Sequence, residues 1–180
     1  MATFAELTPG TWNIDTSHSR VGFVARHLMI AKVRGSFTSF SGAIEVAENR
    51  LESTVSATID LASVSTGDEG RDAHLRSADF LDVESYPTMT FNSTGLKDEG
   101  GQLTLFGDLT IKGVTRSVDL ELEFDGVGKD PWGGTRAAFT ATTEVNRKDW
   151  GLEWNVALET GGVLVGEKVK IQLDIEAVKA

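Results

Sequence analysis

The chain contains no cysteine. Disulfides, thiolate zinc sites, iron–sulfur ligation and cysteine nucleophiles are therefore excluded. Proline is scarce at 3 residues, so the turns must rest on Asn, Asp and the 19 glycines. No apolar run approaches the roughly 18 residues that a spanning helix needs. Basic residues are also short, 17 Lys+Arg against 27 Asp+Glu, for a formal charge of −10. That balance argues against binding a nucleic-acid backbone. It equally disfavours a surface docked on anionic lipid. The opening MATFAELTPG has neither a basic n-region nor an apolar h-region. No secretion signal is expected from it, and the cytoplasm is the expected compartment.

What is present is enough for a core. A chain of 180 residues with 40% apolar content suits one folded domain over 1–180, without staples. Alternation dominates its pattern. From Val118 to Asp125 every even residue is apolar and every odd one acidic. Val165, Val169, Ile171, Leu173, Ile175 and Ala177 share one phase, with Glu167 as the intruder. Successive strand residues point to opposite faces, so each stretch has a dry and a wet side.

The dry rows include Val21, Phe23, Ala25 and His27, then Val55, Ala57, Ile59 and Leu61. Met89 and Phe91 continue them, as do Leu103, Leu105, Gly107, Leu109 and Ile111. Leu120 and Leu122 follow, then Ala137, Phe139 and Ala141. Between Phe37 and Ile44 the phase slips, which predicts a bulge or sharp bend. The reading gives eight strands, at roughly 11–27, 33–47, 53–62, 87–95, 102–112, 115–126, 135–145 and 163–178. Short connections predict an all-β antiparallel meander. Eight strands suit a closed barrel, with a sandwich as the alternative. Residues 70–82 break the pattern and read as a short helical crossover, with His74, Leu75, Ala78 and Leu81 on one stripe. Asn146–Leu152 reads as a single turn closed by Gly151.

The dry face mixes bulky residues with Ala25, Gly35, Gly42, Ala57, Gly107, Ala137 and Ala141. Either the phenylalanines fill those gaps, or the small residues leave a hollow apolar cavity. A filled barrel would serve as an interaction module; a hollow one would hold a ligand. Alternation leaves both open.

Catalytic and metal signals are weak. No G-x-S-x-G elbow, H-x-H, HExxH or phosphate loop occurs. His18, His27 and His74 are too scattered for a tight metal motif, though three histidines can hold zinc or serve haem. His27, in the dry phase, reads as a buried, hydrogen-bonded side chain. Trp12, Trp132, Trp150 and Trp154 read as plugs at the barrel ends. Arg71, Arg76 and Arg147 either meet an anionic head group at a barrel mouth or pair with Asp72, Asp79 and Asp149.

Several motifs carry a family resemblance. Trp12-Asn13-Ile14-Asp15-Thr16-Ser17-His18-Ser19 opens the pattern, followed by Phe23, His27 and Gly35-Ser36-Phe37. Ser65-Thr66-Gly67, Arg71-Asp72-Ala73-His74-Leu75, Asp79-Phe80 and Tyr86-Pro87 mark a crossover. Gly107–Thr115 forms a hairpin, and Asn146–Leu152 a late turn with Trp150 where Phe or Tyr is frequent. In this order, from about residue 10 to 178, they resemble the YceI-like family of polyisoprenoid-binding proteins. The resemblance implies a lipocalin-like eight-stranded antiparallel barrel with a helix at one side. It also implies an apolar tunnel for a long isoprenoid or similar amphiphile, and a homodimer in many members; with the weak catalytic signals, the expected function is a non-catalytic carrier of a polyisoprenoid or quinone. The expected wall is the dry phase: Phe23, Ala25, His27, Phe37, Ala57, Ile59, Met89, Phe91, Leu105, Leu109, Leu120, Leu122, Phe139, Ala141, Ile171 and Leu173. The expected head-group contacts are Arg71, His74 and Arg147. No metal or cofactor is expected.

Overall fold

A computed structural model describes residues 3–159 and 161–180. Eleven strands and one helix follow in order: β1 (Gly10–Ile14), β2 (Arg20–His27), β3 (Ala31–Phe37), β4 (Phe40–Val46), β5 (Thr54–Asp60), β6 (Val64–Ser65), α1 (Glu69–Arg76), β7 (Thr88–Glu99), β8 (Gln102–Ile111), β9 (Val114–Lys129), β10 (Thr135–Asn146) and β11 (Val165–Lys179). The expected first strand is two pieces, because Asp15 caps a 3-10 turn over Thr16–His18 by accepting from the Ser17 N–H. The expected second strand bends at Thr38-Ser39, between β3 and β4, where the phase slips.

The ring closes. β1 pairs with β4 and with the end of β11, and the order β4-β5-β7-β8-β9-β10-β11 completes it antiparallel. Closure leaves no free edge around that ring. The start of β11 turns instead to β2, whose hairpin with β3 runs on past it. The register shifts between Val165 and Val169, and Glu167 falls inside that irregularity. A bulge thus absorbs the one acidic residue on the apolar phase.

One end is plugged by Leu7, which precedes the first strand, and by Trp12 of β1. Leu7 and Trp12 are fully buried with Val46, Ala137 and Ala177, and the Trp12 indole donates to the Thr8 carbonyl at 3.0 Å. Arg50 Nε donates to the Leu7 carbonyl and holds that segment down. At the other end β3 pairs with β6 over only Ser36 and Phe37. The 61–87 crossover covers the gap, packing Leu61, Val64, Leu75 and Leu81 onto Phe37 and Ile59. Asp68 caps α1 through the Arg71 N–H at 2.8 Å. The helix is shorter than the sequence stripe because Ser77 is extended and its hydroxyl takes the His74 carbonyl at 2.6 Å. No helix among the described residues is long and apolar enough to cross a membrane.

Candidate functional site: the barrel cavity

The barrel is hollow. Its interior holds a cavity of about 310 Å³ whose open surface is apolar throughout. An apolar void of 150 Å³ already stays dry and accepts benzene. The dry phase builds the wall: every expected wall residue lines the cavity except His27. β7 to β11 contribute Phe91, Leu105, Leu120, Ala141 and Leu173 near its middle. Sequence reading missed the crossover's share, which is Leu75, Phe80 and Leu81. Their helix-like spacing hid them from a period-two search.

His27 lies beyond the wall. It pairs with Ala31 next to the β2–β3 turn and with Val165, and its ring makes no hydrogen bond among the described residues. The expectation of a buried, hydrogen-bonded wall histidine is corrected. Alternation records which face a residue takes, not where the barrel stops.

The glycines do not hollow the barrel. A side chain on Gly35 would overlap the Phe23 ring, and one on Gly107 would overlap Phe91. Gly42 is filled by Ile14 and the Ser56 carbonyl. The space comes from alanines such as Ala57 and Ala141, which face the cavity directly.

Three polar residues stand in the wall: Ser53, Thr143 and Arg147. Arg147 is buried at 6% exposure. Its guanidinium donates to the carbonyls of Leu152 (2.6 Å), Gly166 (2.9 Å) and Val165 (3.2 Å), and stands 5.9 Å from the Phe80 ring centre. Guanidinium carries five N–H donors, so those bonds leave two free. It touches no carboxylate among the described residues. Burial pushes its pKa below the usual arginine value, and the charge of Glu167 opposes that.

The other expected head-group residues stand off the wall. Arg71 donates to the Thr66 hydroxyl and carbonyl at 2.7 and 2.9 Å, not to Asp72. Asp72 instead accepts from the Thr66 N–H and hydroxyl. His74 meets Asp79 at 2.9 Å and packs edge-on against Trp154 and Phe80. Phe80 separates it from the cavity it lines. Of the tryptophans, Trp150 is buried with its indole on the Leu109 carbonyl, while Trp132 is 82% exposed and plugs nothing. Trp132 sits on the β9–β10 turn, which Asp130 builds by accepting from the Trp132 and Gly134 N–H groups.

The three histidines do not converge. Among the described residues the one cluster of three metal-ligating groups is Asp15, His18 and Glu176. Arg136 already stands in it, bonding Asp15 and Glu176 at 2.7 Å each and Asp130 at 2.9 Å. A guanidinium in that position satisfies the carboxylates that a cation would need. Arg136, Ser17 and His18 hold the Asp15 carboxyl well below its usual range, in that order of effect. The same carboxylates raise Arg136 above the usual arginine value.

The fold and the sequence have known relatives. Residues 12–177 match the YceI-like domain family. UPF0312 protein SA2479 of Staphylococcus aureus strain N315 is 37% identical over 167 residues, spanning 92% of this chain and 95% of that protein. The Campylobacter jejuni YCEI protein superposes with a TM-score of 0.71 at 28% identity, covering 86% of this chain and 90% of that one. Two more distant structures share the fold. BcnA of Burkholderia cenocepacia has a TM-score of 0.74 at 22% identity, over 91% of this chain and 98% of that one. A polyisoprenoid binding domain from Saccharophagus degradans, implicated in plant cell wall breakdown, has 0.71 at 17%, over 94% and 98%. With a matching domain over nearly its whole length and a relative above one-third identity, the chain belongs to the YceI-like family.

Proposed function

We propose that this protein is a non-catalytic carrier that holds one polyisoprenoid, quinone or similar long amphiphile inside its barrel. The observation that carries the reading is the barrel cavity of about 310 Å³, whose open surface is apolar. Each methylene moved from water into such a wall contributes about 0.8 kcal/mol. Affinity then comes from the chain, and selectivity follows length and girth. Arg147 is the one charged wall residue, and a head-group hydroxyl, carbonyl or phosphate oxygen would meet its two remaining N–H groups once the side chain turns them to the cavity, whose empty surface is apolar. Arg71 and His74 take no direct part, because neither reaches the wall. The wall's polar residues, Ser53, Thr143 and Arg147, include no acid–base pair, which supports binding over catalysis. The polyisoprenoid-binding description of the Saccharophagus degradans relative accords with this reading.

The test is organic extraction of the purified protein followed by mass spectrometry, with uptake of an isoprenoid alcohol by delipidated protein. A long-chain amphiphile bound one per barrel is expected. Protein that yields no lipid and takes up none would overturn the proposal.

A further inference from the structure

The chain's charge is not evenly spread. Residues 20–34 carry Arg20, Arg26, Lys32 and Arg34 and no carboxylate, within a chain of net charge −10. Arg26 pairs with Lys32, and Arg34 with Val24, so these cations share the outer face of the β2–β3 hairpin. Arg26, Lys32 and Arg34 are exposed, and none makes an ion pair among the described residues. Lys168 and Lys170 of the adjoining β11 are exposed beside them. Of the acidic groups on the neighbouring elements, Asp174 stands opposite Arg20, at the end of β2 away from the tip. Glu167 is held by Lys148 at 2.9 Å, Glu144 lies 3.8 Å from Lys168, and Glu153 and Glu159 sit on the β10–β11 connection.

The tip of this hairpin is apolar. Leu28, Met29 and Ile30 are exposed by 41, 54 and 79%. Val156 is exposed by 46%, and Val156 and Leu28 both bond to Leu164. Four of the seven exposed large apolar side chains among the described residues thus gather at one point. The turn itself is costly. Ile30 N–H closes it on the His27 carbonyl, and Leu28 and Met29 take φ of 55° and 65°. Turns with two positive φ values favour Asn-Gly or Asp-Gly, which relieve the strain. Here bulky apolar residues hold those positions and point outward.

The hairpin also adjoins the cavity. Ala25 and Val165 line it, and His27 pairs with Val165 directly below the tip. Arg147 bonds the Val165 and Gly166 carbonyls at the same end.

We propose that the β2–β3 hairpin docks this end of the barrel on an anionic lipid bilayer. The tip Leu28-Met29-Ile30 enters the interface while Arg26, Lys32 and Arg34 meet the head groups. Apolar insertion beneath a collar of cations is the physics of reversible interfacial binding. The acidic remainder of the surface is repelled, so the barrel stands end-on with its Arg147 end toward the lipid. A second copy is a poorer partner, because a twofold interface would set the same cations against each other. The inference names where the proposed carrier collects its cargo, and so rests on that reading.

The test is co-sedimentation of the full chain with phosphatidylcholine vesicles, with and without phosphatidylglycerol, at low and high salt. Binding is expected only with phosphatidylglycerol and should fall as salt rises. Leu28→Asn with Met29→Gly installs the favoured turn, so the hairpin folds, yet binding should weaken about tenfold or more. Neutralising Arg26, Lys32 and Arg34 to Gln should weaken it roughly a hundredfold. None of these residues lines the cavity, so uptake of an isoprenoid alcohol from solution by delipidated protein should be unchanged in both variants. No binding by the parent chain, equal binding to both vesicles, or unaltered binding in the variants would overturn the docking proposal while leaving the cavity reading intact. Hairpin-dependent self-association in light scattering, without vesicle binding, would reassign the face to a second copy. Vesicle binding by protein that carries no lipid would sustain docking and defeat the carrier reading alone.

Discussion

The ring of Phe91 on β7 occupies the space where a side chain on Gly107 of β8 would stand. Phe91 pairs with Leu109 and Gly107 with Ser93, so the two are diagonal neighbours on the inner face. Phe23 and Gly35, directly paired, repeat the arrangement. Each glycine lets an aromatic ring lie against the sheet, and a ring on the wall is one that does not fill the centre.

Gly107→Ala should push Phe91 inward. The glycine has no positive φ, so the effect is steric and not one of backbone strain. Overpacking of this kind costs about 1–3 kcal/mol. A lower Tm together with less extractable lipid is expected. A loss of stability with full lipid content would show that the ring moves elsewhere.

Ala141→Phe separates hollow from filled. Ala141 faces the middle of the barrel among Leu105, Leu120 and Leu173. In a filled core the added ring would cost about 1–3 kcal/mol. In the cavity it enters empty space, so lipid-free protein should keep its Tm or gain a little, while lipid retention is lost. Ala57→Phe, across the cavity wall, should behave alike. Calorimetry of delipidated protein with extraction in parallel reads both.

The wall was legible because strand alternation is a property of the backbone itself, and Val118–Asp125 spells it without a break. What alternation cannot encode is where a strand leaves the barrel. His27 keeps the dry phase after the wall has ended at Ala25. Nor does it tell an unfilled small residue from one covered by a neighbour: Gly107 and Ala141 read alike, yet Phe91 covers only the first. The plug by Leu7 and Trp12 depends on a segment that folds back before the first strand, and Leu75, Phe80 and Leu81 follow no strand period. The Arg136 cluster joins side chains from three separate stretches, around Asp15, Asp130–Arg136 and Glu176, so no local spacing signals the whole of it.

Arg147→Met should test the polar end of the cavity. It removes three charge-assisted hydrogen bonds and leaves half-buried carbonyls at Leu152 and Gly166 short of a donor. A loss of roughly 1–3 kcal/mol in the lipid-free protein is expected. Arg147→Lys keeps a charge but not the planar fork, and should restore only part of it. If Arg147 also holds the head of the ligand, affinity for an isoprenoid alcohol should fall more than affinity for the matching hydrocarbon. Equal losses for both would confine Arg147 to a structural role.

Acid sensitivity should centre on Arg136. Asp15 is held low chiefly by Arg136. Asp130 is held low first by the Gly134 N–H and then by Arg136. A carboxylate whose folded pKa is depressed stabilises the fold fully above its unfolded value, near 4, and loses that contribution as pH falls toward the folded one. Tm should therefore be flat from neutral pH down to about 5 and drop below about 4. Arg136→Gln removes the shared cation and leaves Asp15, Asp130 and Glu176 facing one another. The pKa values of Asp15 and Asp130 should rise toward or above the unfolded ones, so mild acid now relieves repulsion. The variant should melt lower at neutral pH and show a much weaker fall on acidification. A parallel shift of the whole Tm–pH curve, its shape unchanged, would mean that Arg136 does not set the carboxylates' titration.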